Sequence, residues 1–249
     1  MPVAPLLAFD VGGSFVKAGL VDASAGCVVG EVLRSPTPQG AAPIEIIDLL
    51  AAMAGDLPSR GPVGLAMPSV TKSGVTWTAA NIDKRWIGTD AVSLLEARVA
   101  RPVVLLNDAD AAGVAEMTLG AGRGRDGTVM VLTLGTGIGT ALFVDGHLLP
   151  NTELGHLEVH GIEAEHRASA KLRVDRKLSW VDWTAEVNAV LASYHALLWP
   201  DLFLIGGGVT ENWQHFAPLL TSRAEVVRAR FGNDAGIIGA AMAASAGSP

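Results

Sequence analysis

Four segments of this chain carry residue types and spacings that could do chemistry. The first runs Asp10-Val11-Gly12-Gly13-Ser14-Phe15-Val16-Lys17. Glycines let backbone N–H groups approach phosphate oxygens with no Cβ in the way, and the Ser14 hydroxyl adds a donor. Asp10 offers the oxygen ligand that a magnesium ion prefers, directly or through water. Lys17 either faces the phosphates or stands as a solvated strand residue. The second segment is Leu134-Gly135-Thr136-Gly137-Ile138-Gly139-Thr140. A dinucleotide-binding fingerprint with such glycines opens a helix. Here the following Ala141-Leu142-Phe143-Val144-Asp145-Gly146 reads as a strand leading to a turn. Two glycine hairpins, one in each half of the chain, are expected to grip a phosphate chain from both sides of a cleft.

The third segment is Leu105-Leu106-Asn107-Asp108-Ala109-Asp110, where a strand ends and a helix begins. Asn107 or Asp108 could simply cap that helix. A sharper reading makes one carboxylate a general base, because a sugar hydroxyl needs such a group within hydrogen-bond reach as the phosphoryl group arrives. Asp108 and Asp110 compete for that role. The fourth segment is Asn151-Thr152-Glu153-Leu154-Gly155-His156, followed by Glu165. Carboxylates, an imidazole and an amide can exchange hydrogen bonds with the adjacent hydroxyls of a polyhydroxy ligand. Glu153, His156, Glu158 and His160 could cluster, but no zinc-ligand spacing stands out.

The elements that must position these segments alternate along the chain. Strands are expected at Leu6–Phe9, Phe15–Val21, Pro62–Met67, Val103–Leu106, Thr128–Leu134, Ile138–Val144 and Leu202–Ile205, the last ending in Gly206-Gly207-Gly208. Helices are expected at Ile44–Met53, Ala109–Leu119, Trp183–Leu198 with Asp182 as its cap, and Ile237–Ala246. Alternation of this kind makes the class α/β. With Asp22 placed over Asp145, Gly12 falls on Gly135, Ala18 on Ala141 and Val21 on Val144. Two ordinary hairpins could match this way, but a duplicated architecture is the stronger reading. Two similar halves would face each other across a cleft. The domains are expected at 1–106 and 107–249, with the C-terminal helix able to pack back on the smaller first domain.

Composition narrows the class. The chain has 249 residues, 49% of them apolar and 17% charged, which suits a globular protein with a sizeable core. A net charge of −7 argues against general nucleic-acid binding. One cysteine, Cys27, cannot form an internal disulfide and points to the reducing cytosol. No run approaches a membrane span, and Met1–Pro5 lacks signal-peptide character.

Taken in order, Asp-x-Gly-Gly-Ser-x-x-Lys, Asn-Asp, Gly-Thr-Gly-x-Gly, Glu-x-Gly-His and Gly-Gly-Gly resemble the motifs of the repressor, open reading frame and kinase (ROK) family, from about Leu6 to Ala244. Thr78–Gly88, Asn107–Gly113, Pro150–His156 and Asn233–Ile237 resemble its polyphosphate glucokinase branch. Most ROK members carry a cysteine-rich zinc motif after Glu-x-Gly-His. This chain has none there, so no structural zinc is expected. The resemblance implies the two-domain sugar kinase/Hsp70/actin fold, related to ribonuclease H, with a central cleft. It implies glucose as acceptor and polyphosphate and/or ATP as donor, with magnesium as cofactor; the long helix Trp183–Leu198, with Trp199 after it, is the expected interface of a homodimer. An ATP-only kinase for glucose, mannose or another hexose is the alternative.

The resemblance also assigns roles. Asp10, Gly12, Gly13 and Ser14 would form the first phosphate loop, with Lys17 beside it, and Gly135, Thr136 and Gly137 the second. Asp108 would be the catalytic base. Asn107, Glu153 and His156 would hold sugar hydroxyls, joined by Asn81 and Glu165. Gly206, Gly207 and Gly208 would lie under the adenosine of ATP. A polyphosphate chain further needs a basic track. Candidates are Lys84, Arg85, Arg123, Arg125 and the run Arg167, Lys171, Arg173, Arg176, Lys177. Among the tryptophans, Trp86 is the nearest candidate for stacking on sugar. Trp180, Trp183, Trp199 and Trp213 suit a core or an interface better.

Overall fold

The computed structural model describes residues 4–247. Residues 1–3 of the Met1–Pro5 segment, and the last two residues of the expected 107–249 domain, lie outside them. In chain order the elements are β1 (Leu6–Val11), β2 (Phe15–Asp22), β3 (Cys27–Pro36), α1 (Pro43–Asp56), β4 (Val63–Met67), β5 (Thr71–Lys72), β6 (Val75–Thr76), β7 (Thr89–Asp90), α2 (Ala91–Val99), β8 (Val103–Asn107) and α3 (Asp108–Leu119). They continue as β9 (Thr128–Leu134), β10 (Ile138–Val144), β11 (His147–Leu149), β12 (Glu158–Val159), β13 (Ile162–Glu163), α4 (Ala164–Ala168), α5 (Ala170–Asp175), α6 (Trp180–Leu198), β14 (Leu202–Gly206), α7 (Trp213–Phe216), β15 (Glu225–Arg228) and α8 (Ala235–Ala246).

The chain forms two compact units, one of Met1–Ala115 with Asp234–Pro249 and one of Glu116–Asn233. The sequence reading set its boundary between 106 and 107; the units divide within α3. The first unit is built on a five-stranded sheet in the order β3-β2-β1-β4-β8. β1, β2 and β3 run antiparallel, and β4 and β8 join parallel to β1. The sheet of the second unit runs β11-β10-β9-β14-β15 and repeats the same sense of pairing. The strand–glycine–strand echo in the sequence is therefore the visible part of a duplicated sheet. The copies differ at the turn. Val11 pairs with Val16 but Leu134 with Ile138, so the second hairpin closes one residue tighter.

β4 and β14 are apolar throughout and wholly buried, as expected of parallel strands covered on both faces. Leu7, Phe9, Ile47, Leu65, Met67 and Leu95 lead the core of the first unit. Met130, Leu132, Trp183, Tyr194, Phe203 and Phe216 lead that of the second. α8, rich in small residues, lies against β1, β2, β4 and β8. It fits because its partners are small too. A Cβ on Gly64 of β4 would fall on the Ala240 carbonyl, and one on Gly239 would fall on that of Ala111.

Two expectations change at this level. α6 begins three residues earlier than the apolar spacing suggested. Ser179 is its cap: its hydroxyl accepts from the Asp182 N–H at 3.1 Å and donates to the Asp182 carboxylate at 2.7 Å. Asp182 is thus a partner of the capping hydroxyl rather than the cap. Strand β3 escaped the sequence reading because it is a largely exposed edge whose mixed residues show no apolar alternation.

Candidate functional site

In the first unit, β1 and β2 bring Asp10 opposite Lys17, and the Lys17 ammonium meets the Asp10 carboxylate at 2.9 Å. Both side chains are largely buried, so Lys17 is an ion-pair partner rather than a solvated strand residue. Gly236, in the first turn of α8, leaves room for the same carboxylate. A Cβ there would stand 2.9 Å from Asp10 Cγ. Asp10 is the carboxylate here that could hold a magnesium ion through water.

The loop after β1 is tied down on both sides. The Gly12 N–H donates to Phe15 O at 2.9 Å, and the Thr37 hydroxyl donates to Gly12 O at 2.6 Å. The Thr37 N–H donates to Ser14 O at 3.0 Å, and Ser14 itself is exposed. Glycine at 13 answers to close approach. A Cβ would lie 2.9 Å from the Asn81 carbonyl, which seats Asn81 beside the loop. Thr37 was not singled out in the sequence, since it acts from the segment after β3.

At the β8–α3 junction, Asn107 is buried and its carbonyl oxygen accepts from the N–H groups of Ala109 and Asp110 at 2.9 and 3.1 Å. Its amide donates to Ser69 O at 3.1 Å. Of the two readings of this segment, capping by Asn107 is realised, and it sets the direction of the helix start. Asp108 accepts from the Ala109 N–H at 2.8 Å and stays partly exposed, whereas Asp110 is only 2% exposed. The two carboxylates therefore separate by accessibility, and Asp108 is the one that solvent and ligands can reach.

In the second unit, Gly135, Thr136 and Gly137 fill the turn between β9 and β10, a strand–strand hairpin and not the strand–helix turn of a dinucleotide fingerprint. The Gly135 N–H donates to Gly137 O, and the Lys171 N–H donates to Gly135 O, both at 3.0 Å. Gly206-Gly207-Gly208 follows β14. Gly207 has φ of 85°, and a Cβ on it would stand 2.5 Å from Leu134 O, so only glycine fits there. Gly208 lies against the Asn233 side chain, whose amide donates to Glu211 at 2.9 Å.

Glu153 and His156 flank a short helical turn that is clamped to β10. The Leu154 N–H donates to the Thr140 hydroxyl at 3.1 Å, and that hydroxyl donates to Thr152 O. From the other side the buried Tyr194 hydroxyl donates to Leu154 O at 2.8 Å. Burial, with the charge of Glu165 adding to it, raises the Tyr194 pKa and keeps the phenol a neutral donor. Gly155 is obligatory, because a Cβ would fall on the Ile138 carbonyl.

The His156 ring is surrounded by carboxylates: Glu163 at 3.2 Å, Glu165 at 3.6 Å and Glu153 at 3.7 Å. His166 stands 3.5 Å from Glu163 and 3.7 Å from Glu165. Beside Glu153, the expected neighbour, His156 meets Glu163 and Glu165, and His166 meets the same two glutamates. The β12–β13 hairpin brings them in, turning on His160 and Gly161, both at positive φ. That His-Gly turn was the sequence signal for Glu163. His156, Glu163 and Glu165 each bring a ligand atom within 4.8 Å of the others, close enough to share a cation. Burial raises the Glu153 pKa, Glu165 adds to the rise, and His156 opposes it.

Several residues considered for other roles are engaged elsewhere. Trp86 is 1% exposed in the core of the first unit and offers no face to a sugar. Of the basic candidates, Arg85 pairs with Asp83, Arg125 with Glu225, Arg167 with Glu186 and Lys171 with Asp175. Lys84 donates to Ala79 O, and Arg173 lies over the Trp180 ring at 3.7 Å. Arg123, Arg176 and Lys177 are exposed.

A family model described as the ROK family matches residues 6–171. A polyphosphate glucokinase of Mycobacterium tuberculosis is 45% identical over 238 residues, spanning 95% of this chain and 90% of that protein. One from Mycobacterium leprae is 43% identical over 238 residues, spanning 95% of this chain and 74% of that protein. The crystal structure of an inorganic polyphosphate/ATP-glucomannokinase from Arthrobacter sp. strain KM matches with a TM-score of 0.95 and 43% identity, covering 98% of this chain and all of that one. With two thirds of its length matched by the family model and close relatives along nearly all of it, the chain belongs to the ROK family.

Proposed function

We propose that this protein transfers a phosphoryl group from polyphosphate or ATP to the 6-hydroxyl of glucose. The observation that carries this reading is the 45% identity to curated polyphosphate glucokinases along 95% of the chain. The fold and the residue types at both glycine hairpins agree with it.

Asp108 is assigned as the base. Its carboxylate takes the proton of the 6-hydroxyl as the new O–P bond forms and the bond to the donor's bridging oxygen breaks. Its accessibility beside the buried Asp110 supports the choice. Asn107, with its amide committed to Ser69 and to the helix start, fixes where Asp108 stands. Glu153, His156 and Glu165, with Asn81, are assigned to the sugar hydroxyls. Backbone N–H groups of the loops at Gly12–Ser14 and Gly135–Gly137 are assigned to the donor phosphates, and Gly206–Gly208 to the nucleotide when ATP is used. Magnesium would neutralise phosphate charge beside Asp10. No helix among the described residues is long and apolar enough to cross a membrane. The lone cysteine supports a cytosolic location, and the exposed Val181, Leu197 and Trp199 along α6 support a homodimer.

Mannose is the second reading for the acceptor, favoured by the likeness to a glucomannokinase. Replacing Asp108 with Asn tests the base. Turnover is expected to fall by about 10²–10⁴-fold with little change in glucose affinity. Retention of most activity would remove Asp108 from that role.

A further inference from the structure

The corner between α4 and α5 touches two assigned parts of the second unit. On one side Glu163 and Glu165 lie against His156. On the other the Lys171 N–H holds Gly135 O, the first carbonyl of the glycine hairpin, at 3.0 Å. Ser169 joins the two short helices. It closes α4, its N–H donating to Glu165 O at 3.2 Å, and it caps α5, its hydroxyl accepting from Leu172 N at 3.4 Å. Helices of five and six residues are too short to hold such a corner by themselves.

The corner is held from the core. Trp183, on α6, donates its one N–H to the carbonyls of Ala168 and Ser169 at 3.0 and 3.2 Å. Its indole is 0% exposed and sits edge-on to Trp180 and Phe216, with ring centroids 5.7 and 5.2 Å away. Packing on this scale fixes the ring and so the direction of the donor. We infer that Trp183 is a positioning residue, setting the sugar-side carboxylate Glu165 and the phosphate-side loop at Gly135 through one pinned corner. This rests on the reading of both groups as parts of a hexose kinase.

Trp183→Phe keeps an aromatic ring and removes the N–H. The KM for glucose and the KM for the phosphate donor are both expected to rise about tenfold, within the cost of orphaning a buried acceptor. Turnover should stay within about threefold, since positioning rather than chemistry is lost. Leu50→Ala, in the separate core of the first unit, is the control for lost stability. It should lower the melting temperature at least as much and leave both KM values unchanged. Unchanged KM values in Trp183→Phe, or an equal rise in Leu50→Ala, would overturn the inference. Should Trp183→Phe not fold, Ser169→Ala weakens the same corner and should raise both KM values by a smaller factor; no rise in either is equally contrary. A wild-type protein that phosphorylates no hexose with either donor would defeat the kinase reading itself, and this inference with it.

Discussion

At the residue scale, accessibility and local charge separate groups that look alike in sequence. Asp108 and Asp110 stand two positions apart, yet one is reachable and the other is sealed in. Glu153 differs from an ordinary glutamate in a way that pH can read. Burial and Glu165 raise its pKa above the usual value of 4.5, against the pull of His156. As pH falls, Glu153 therefore takes up its proton earlier than a free glutamate and ceases to accept from a hydroxyl as an ion. The KM for glucose is expected to rise with falling pH, beginning above the ordinary carboxylate range. Glu153→Gln, which cannot ionise, should raise KM at neutral pH and flatten the profile. A profile that stays steep in the variant would assign the titration to another group.

At the element scale, the sugar-side segment is a short turn whose position is set by β10. Thr140, Tyr194 and the bare Cα of Gly155 hold it there. Gly155→Ala puts a methyl group on the Ile138 carbonyl, and the turn must lift away. The expected cost is about 1–3 kcal/mol of stability, as for an overpacked site, together with a raised KM for glucose. Denaturant unfolding and steady-state kinetics on one preparation would check both. A variant with unchanged stability and KM would mean that the turn has room to spare.

The same element shows what the sequence could and could not say. The central strands were legible because continuous apolar runs ending in glycine or an acidic residue have few other readings. The ends of β9 and β10 match the expectation residue for residue. Edge strand β3 and the two-residue strands β12 and β13 were not legible, because exposed or very short strands carry no periodicity. Missing the β12–β13 hairpin is also why Glu163 and His166 were missed. Glu163 reaches His156, and His166 reaches Glu163, only after the chain turns at Gly161. The start of α6 was misplaced because Trp180 and Val181 were not counted with the apolar face, which hid Ser179 as the cap.

At the scale of the whole molecule, the duplicated sheet explains why two glycine hairpins recur in one chain. Each closes the β1–β2 or β9–β10 pair at the same place in a sheet of the same order. Polyphosphate use is harder to read at this scale. The chain carries a net charge of −7, and many of its basic candidates are already paired with carboxylates. Arg123, Arg176 and Lys177 are exposed, and we propose that they attract a long polyanion at the surface. Such attraction weakens as salt screens it.

Use of polyphosphate as well as ATP for glucose can be measured by incubating purified protein with glucose and magnesium, using either ATP or polyphosphate freed of nucleotide. Glucose 6-phosphate is expected with both donors, and with polyphosphate its formation should slow steeply as salt rises. Product from ATP alone would contradict the polyphosphate half and leave an ATP-dependent hexokinase of the same family.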